Sequence, residues 1–232
     1  MDTSGEPPES LPPESQPPES LPPESLPGVI PVFPLPGALL LPRAHLPLHI
    51  FEPRYLAMVR DAMKGAKVIG MIQTRGMQDD GRPGLYSVGC AGKIDRFEEI
   101  EGGRFLIVLR GVSRFRVAQE LSVSTPYRQV QADYTPYAHD RMEAAQLPAQ
   151  VRTQLLSQLE HYLQARTLKA DWEAIHSADD EMLVHAICML CPFDDAEKQA
   201  LLEAASLAER AEAVNLLMRF ADNAPGATDK RH

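Results

Sequence analysis

Seven prolines fall between positions 27 and 53: Pro27, Pro31, Pro34, Pro36, Pro42, Pro47 and Pro53, set between short apolar runs. Each proline removes a backbone donor and fixes φ, so no long helix can form before Pro53. Short strands, broken at edges and bends, are what such a stretch allows. The rule changes after Phe51. Glu52-Pro53 puts proline where the first helical turn has unpaired N–H groups anyway. Tyr55, Leu56, Val59 and Met63 then recur at helical spacing, up to a stop at Gly65. Residues 28–59 therefore read as strand, bend, strand and helix.

From Lys67 onward the pattern is strand-like. Val68, Ile69, Met71 and Ile72 form a short buried run, and residues 74–85 read as a polar loop carrying the turn formers Asp80-Gly81 and Pro83-Gly84. A long ribbon over 86–100 places Val88, Cys90, Gly92, Ile94 and Arg96 on one face. The turn at 101–104 returns it into 105–109. A second return is expected at Gly111, feeding a strand over 113–121 in which Phe115 and Val117 alternate with Arg114 and Arg116. The last strand covers 127–134. Several short strands with one early helix indicate a closed or nearly closed β-barrel over 28–137. Past Pro136 the alternation gives way to a 3.6-residue period. One helix starts near Leu147-Pro148, and another spans 181–190, ended by Cys191-Pro192. Asp194 with Glu197, and Ser206 with Glu209, are capping-box pairs that open two more. Helices of this length must bury their faces together, so 138–222 is expected to be a small bundle, followed by a polar tail over 223–232. The fold class is α+β.

Charge is distributed unevenly. Residues 1–27 carry six acids and no base, residues 28–137 carry 14 Lys/Arg against 10 Asp/Glu, and residues 138–232 carry 9 against 16. A net +4 on the strand-rich part is too little for a dense phosphate-binding face, so nucleic acid is not the expected partner. The leader 1–27 repeats PPES four times and has no apolar face to offset the entropy of ordering. It reads as a solvated, extended segment, either a solubilising leader or a proline-rich docking ligand. No apolar run is long enough to cross a bilayer, and no signal peptide is evident. Three cysteines, Cys90, Cys188 and Cys191, are too few for a disulfide framework, which fits a reducing, cytoplasmic setting.

Motifs for chemistry are sparse. There is neither a G-x-x-x-x-G-K-[ST] loop nor a G-x-S-x-G elbow. Cys188 and Cys191 have C-x-x-C spacing but close a helix, where the dipole raises a thiol pKa; they read as buried apolar cysteines. Pro47 separates His45 from His49 and excludes a shared helix face. Asp79-Asp80 and Asp179-Asp180-Glu181 read as a solvated loop and a dipole-favoured first helical turn. No cofactor or metal is expected.

The segment FPLPGALLLPRAHLPLHIFEPRYLAMV at 33–59 resembles the opening of the N-terminal, substrate-binding domain of Lon proteases. The resemblance continues through VIGMIQ at 68–73, LYSVGCAGKI at 85–94, GVSRFRV at 111–117 and 127–134, then EKQALLE at 197–203 and AER at 208–210. It implies a PUA-like pseudo-barrel of short, mostly antiparallel strands followed by a helical bundle. It also implies a non-catalytic module that binds unfolded or exposed apolar polypeptide segments. A chaperone or protease partner, or a small ligand or RNA, would be the alternatives. The ATPase and Ser–Lys protease regions of a full Lon chain are missing, so no peptide hydrolysis is expected. Phe33, Arg43, Phe51, Glu52, Arg54, Tyr55 and Arg114 are the candidate binding or structural residues. In the resembling family the E-P-R-Y segment caps the first helix and ties it to the barrel, and a Glu52–Arg54 pair and a binding role are both open. The Arg114 guanidinium suits either backbone carbonyls or a ligand carboxylate.

Overall fold

A computed structural model describes residues 26–79 and 81–223. The leader repeats, Asp80 and most of the polar tail lie outside those residues. Six strands, β1 (Val29–Pro34), β2 (His45–Ile50), β3 (Val68–Met77), β4 (Pro83–Ile100), β5 (Arg104–Glu120) and β6 (Gln129–Asp133), form one sheet in the order β2-β5-β4-β3-β1-β6. β6 also pairs with β5, so β5, β4, β3, β1 and β6 close a ring and β2 hangs outside it on β5. All pairings are antiparallel except β1 with β3.

Helix α1 (Pro53–Lys64) begins as its sequence dictates, with Pro53 in the first turn and Glu52 in extended conformation at the cap. It buries Tyr55, Met58, Val59 and Ala62. A 3-10 segment (Thr135–Arg141) leads from the ring to α2 (Ala149–Ala165), α3 (Trp172–Ser177), α4 (Asp180–Leu190), α5 (Asp195–Glu203) and α6 (Leu207–Asn223). The Asp194–Glu197 capping box forms reciprocally, both bonds at 2.8 Å. At α6, Ser206 accepts from the Glu209 N–H, but Glu209 reaches back to the Ala205 N–H rather than to its cap residue.

Two expectations change. The polar loop over 74–85 shrinks, because β3 and β4 stay paired through Met77 and Pro83 across two register shifts. Backbone pairing continues past the last core residue and needs no apolar alternation there. Gly111 is no return either: β5 runs straight through it, with a register shift opposite Ala91 and Gly92. Its role is close approach. A Cβ at Gly111 would stand 2.0 Å from the Leu41 carbonyl oxygen, so only glycine lets the loop before β2 lie against β5. Helix α3 escaped the periodicity because six residues are too few, although the Asp171 cap marks its start.

Two apolar clusters hold the fold. Ile30, Val32, Val68, Ile72, Ala91, Phe115, Val130 and Ala132 come from all five ring strands and fill the ring. The larger cluster joins the opposite strand faces (Phe33, Ile69, Met71, Val88 and Cys90) to α1, α2, α4, α5 and α6.

Candidate functional site

Three regions contain the residues singled out from the sequence. The first is the seam between ring and helices. Arg114 leaves β5 and is 2% exposed. Its Nε donates to Asp140 Oδ2 at 2.9 Å and its Nη2 to Asp140 Oδ1 at 2.8 Å, while Nη1 reaches the Leu202 and Ala204 carbonyls that end α5. Arg43, in the loop before β2, forks onto Glu181 of α4 and donates to the Asp140 carbonyl at 2.5 Å. Its backbone sits at φ +63°, a strained conformation for a side-chain-bearing residue. The Glu181 fork and a 2.8 Å bond from its N–H to the Gly111 carbonyl hold it there. Arg210 of α6 adds bonds to the Leu201 and Ala204 carbonyls and to His185 Nε2. Gln199 of α5 donates to the Val88 carbonyl of β4 at 3.2 Å. Two of the seven candidates, Arg43 and Arg114, thus turn inward onto the protein's own acceptors. Arg114 is closed off from solvent, while Arg43 keeps about a third of its side chain exposed, on the wall of a cavity of about 320 Å³ beside α4.

Burial alone would raise the Asp140 carboxyl, but the Arg114 bonds more than reverse this and hold it below the ordinary carboxylate range. His185 goes the other way: burial, then the Arg210 charge, push it down to about 3. The acidic cluster at α4 is structural. Asp179 caps the helix, Asp180 takes the Leu147 N–H and Arg152, and Glu181 takes Arg43.

The second region is a cleft of about 660 Å³ between the start of α1, the end of β1 and the β5–β6 loop. Tyr55 and Tyr127 form its floor; Arg54, Arg82 and Arg128 are its cations and Glu120 its carboxylate. Phe33 is core here, its ring 4.1 Å from Tyr55, and supports the floor from below. Glu52 and Arg54 form an exposed pair at 2.8 Å, and the Arg54 guanidinium lies over the Tyr55 ring at 4.6 Å. The Tyr127 hydroxyl donates to Asp61 of α1 at 3.0 Å, tying the β5–β6 loop to the helix.

The third region is the outer face of β2 and β5. Side chains alternate across a strand, so Pro47, His49 and Phe51 share a side, and the register sets Pro47 against Val108 and His49 against Leu106. Phe51 is 61% and Leu106 42% exposed. A shallow depression of about 730 Å³ lies along this face, rimmed by Arg96 and Glu98 of β4. Phe51 is among the residues singled out from the sequence; Leu106 is not, because β5 is apolar on both faces there.

Cys188 and Cys191 are buried, as read, and Cys90 is buried too. Among the described residues no group of three or more His, Cys, Asp or Glu is placed to hold a metal ion, and no helix is long and apolar enough to cross a membrane.

A strand ring welded to a set of short helices defines a mixed α+β module. The chain belongs to the family of the ATP-dependent protease La (LON) substrate-binding domain, whose profile matches residues 29–219. It is 30% identical over 107 residues to Lon protease 2 of Myxococcus xanthus, covering 45% of this chain and 13% of that protein. To the Lon protease of Chloroherpeton thalassium it is 26% identical over 188 residues, 80% of this chain and 22% of that one. The chain thus spans less than a quarter of these curated relatives. Two solved structures share the fold. The N-terminal domain of the Mycobacterium avium complex Lon protease gives a TM-score of 0.59 at 19% identity, over 82% of this chain and 98% of that one. A Lon N-terminal domain protein from Xanthomonas campestris gives 0.55 at 23%, over 82% and 96%.

Proposed function

We propose that this chain is a non-catalytic module that binds unfolded or exposed apolar polypeptide segments on the outer face of β2 and β5. The supporting observation is the exposure of Phe51 and Leu106 on one continuous face beside the strand that pairs with a single neighbour. Large exposed apolar side chains gathered on a sheet face mark interaction surfaces. Selectivity at the rim falls to Arg96 and Glu98, not to Arg43 and Arg114, which are committed to the seam. Family membership supports a polypeptide as the ligand. Buried thiols and the absence of a spanning helix among the described residues fit a cytoplasmic setting.

Titration of a fluorescent apolar peptide panel by anisotropy tests this. Burying the exposed parts of Phe51 and Leu106 contributes about 2 kcal/mol, so Phe51→Ala/Leu106→Ala should weaken binding roughly thirtyfold. Both side chains are surface-exposed, so the unfolding midpoint should hardly move. No binding by the parent chain, or equal binding by the double variant, refutes the assignment.

A further inference from the structure

The tyrosine-floored cleft differs in character from the apolar sheet face. Its exposed walls are proline-rich, with Pro36, Pro83 and Pro126 around it. The Arg54 and Arg82 side chains are 55% and 60% exposed. Glu120, its one lining carboxylate, is forked by Arg128 at 2.7 and 2.6 Å and lies 3.9 Å from Arg82, while Arg54 pairs with Glu52 beside the cleft. The lining is therefore net positive and offers rings without deep apolar pockets. An extended ligand rich in proline and carboxylate matches it: its rings pack on the exposed prolines, and its carboxylates meet arginine.

The chain itself carries such a segment. Residues 1–25 hold four PPES repeats, with six acids and no base. The segment joins the ring at a fixed point, since Leu26 packs against the apolar cluster of the ring and the Tyr134 hydroxyl donates to the Pro27 carbonyl at 3.1 Å. From there β1 runs to Pro34, at the cleft wall, a distance of about 20 Å at the usual rise per strand residue. A polyproline segment advances about 3.1 Å per residue, so roughly seven residues span the gap. Residues 19–25 are then used as tether, and the repeats at 7–10 and 12–15 can reach the cleft. Tethering raises the local concentration to the millimolar range, enough to populate a contact whose ion pairs are individually weak.

We propose that the acidic, proline-rich segment 7–15 docks intramolecularly in this cleft, against Pro36, Pro83 and Pro126 above the tyrosine floor, with Arg54 and Arg82 meeting its glutamates. The site is separate from the Phe51–Leu106 face and does not depend on its role.

The test uses the full chain with Ser15→Cys carrying a nitroxide, the native cysteines being buried and unlabelled in the folded protein. Relaxation enhancement of backbone amides is then read at neutral pH. Strong enhancement is expected at Thr74, Arg82, Val123 and Arg128. Two exposed ion pairs are removed in Arg54→Glu/Arg82→Glu, so the cleft enhancement should drop roughly fivefold, with a similar drop at high salt. Enhancement spread evenly over the surface, or unchanged by the charge reversal, overturns the proposal. So does enhancement that appears only between molecules, in a mixture of labelled unenriched and unlabelled enriched chains.

Discussion

Arg114→Met should be among the most damaging single substitutions in this protein. The guanidinium spends all five of its N–H groups inside the molecule. Two go to the Asp140 carboxylate at 2.9 and 2.8 Å, two to the Leu202 and Ala204 carbonyls at 3.1 and 2.6 Å, and one to His139 Nε2 at 2.9 Å. The Arg114 backbone N–H adds a further bond to Asp140 at 2.8 Å. Methionine fills much of the same volume but leaves a buried carboxylate without its cation and the C-terminal carbonyls of α5 short of donors. Stripping one partner from a buried pair costs about 3–5 kcal/mol, a large share of the roughly 5–15 kcal/mol a domain possesses. Urea denaturation at pH 7 reads the effect, with far-UV circular dichroism and the fluorescence of Trp172, the sole tryptophan. Adding Asp140→Leu should recover about 1–4 kcal/mol, because an apolar pair no longer leaves a lone charge behind. A loss below about 1 kcal/mol for Arg114→Met would refute the claim that this ion pair welds ring to helices. So would single-variant costs that simply add in the double variant.

His185 should make the protein acid-sensitive well above the carboxylate range. Its folded pKa of about 3 lies far below the ordinary 6.5, so its contribution is complete above pH 6.5 and drains away as pH falls toward 3. That amounts to about 1.4 kcal/mol per unit, or roughly 3 kcal/mol by pH 4.5. His185→Gln should flatten this slope in thermal melts, and an unchanged slope would refute the assignment. Asp140 and Asp180, both held below their ordinary range, add a second loss below about pH 4. Gly111→Ala forces a Cβ to 2.0 Å from the Leu41 carbonyl oxygen. A stability loss at or beyond the upper end of the roughly 1–3 kcal/mol typical of overpacking is expected, and a neutral urea midpoint would show that the backbone yields easily. Burial pushes the Cys188 thiol up to about 12 and Cys191 up to about 11, and raises Cys90 further. An aromatic disulfide reagent at pH 8 should therefore label none of the three until urea unfolds the chain, and prompt labelling would contradict their burial.

Local chemistry was readable in the sequence and long-range pairing was not. Pro53 and the Asp194–Glu197 box each announce a helix start within four residues, and both helices begin there. The seam is different. Arg43 meets Glu181 across 138 positions, and Arg114 meets Asp140 only because the 3-10 segment folds back beside β5. An arginine in a strand gives no sign of which carboxylate the topology will bring to it. Gly111 shows the same limit: a turn and a close backbone approach both demand glycine, and only the strand pairing separates them. In β5, Phe105, Ile107 and Leu109 face inward while Leu106 and Val108 face out, so a wholly apolar run hid the exposed half.

Pro47 links the open face to the kind of binding it supports. It sits at the third position of β2, whose one partner is β5. A proline within a sheet keeps its nitrogen on the unpaired side, so the open edge of β2 lacks a donor midway along its six residues. A continuous added strand would lose its ladder at that point. On the proposed function, a polypeptide segment is then held by side-chain contact with Phe51, Leu106 and Val108 more than by main-chain pairing. Side-chain contact with a shallow apolar face discriminates little between sequences and releases readily. Replacing Pro47 with valine would restore the missing donor, and should tighten peptide binding while making the edge prone to self-association on sizing columns. Unchanged affinity and unchanged elution for Pro47→Val would show that the edge of β2 takes no part in holding the segment.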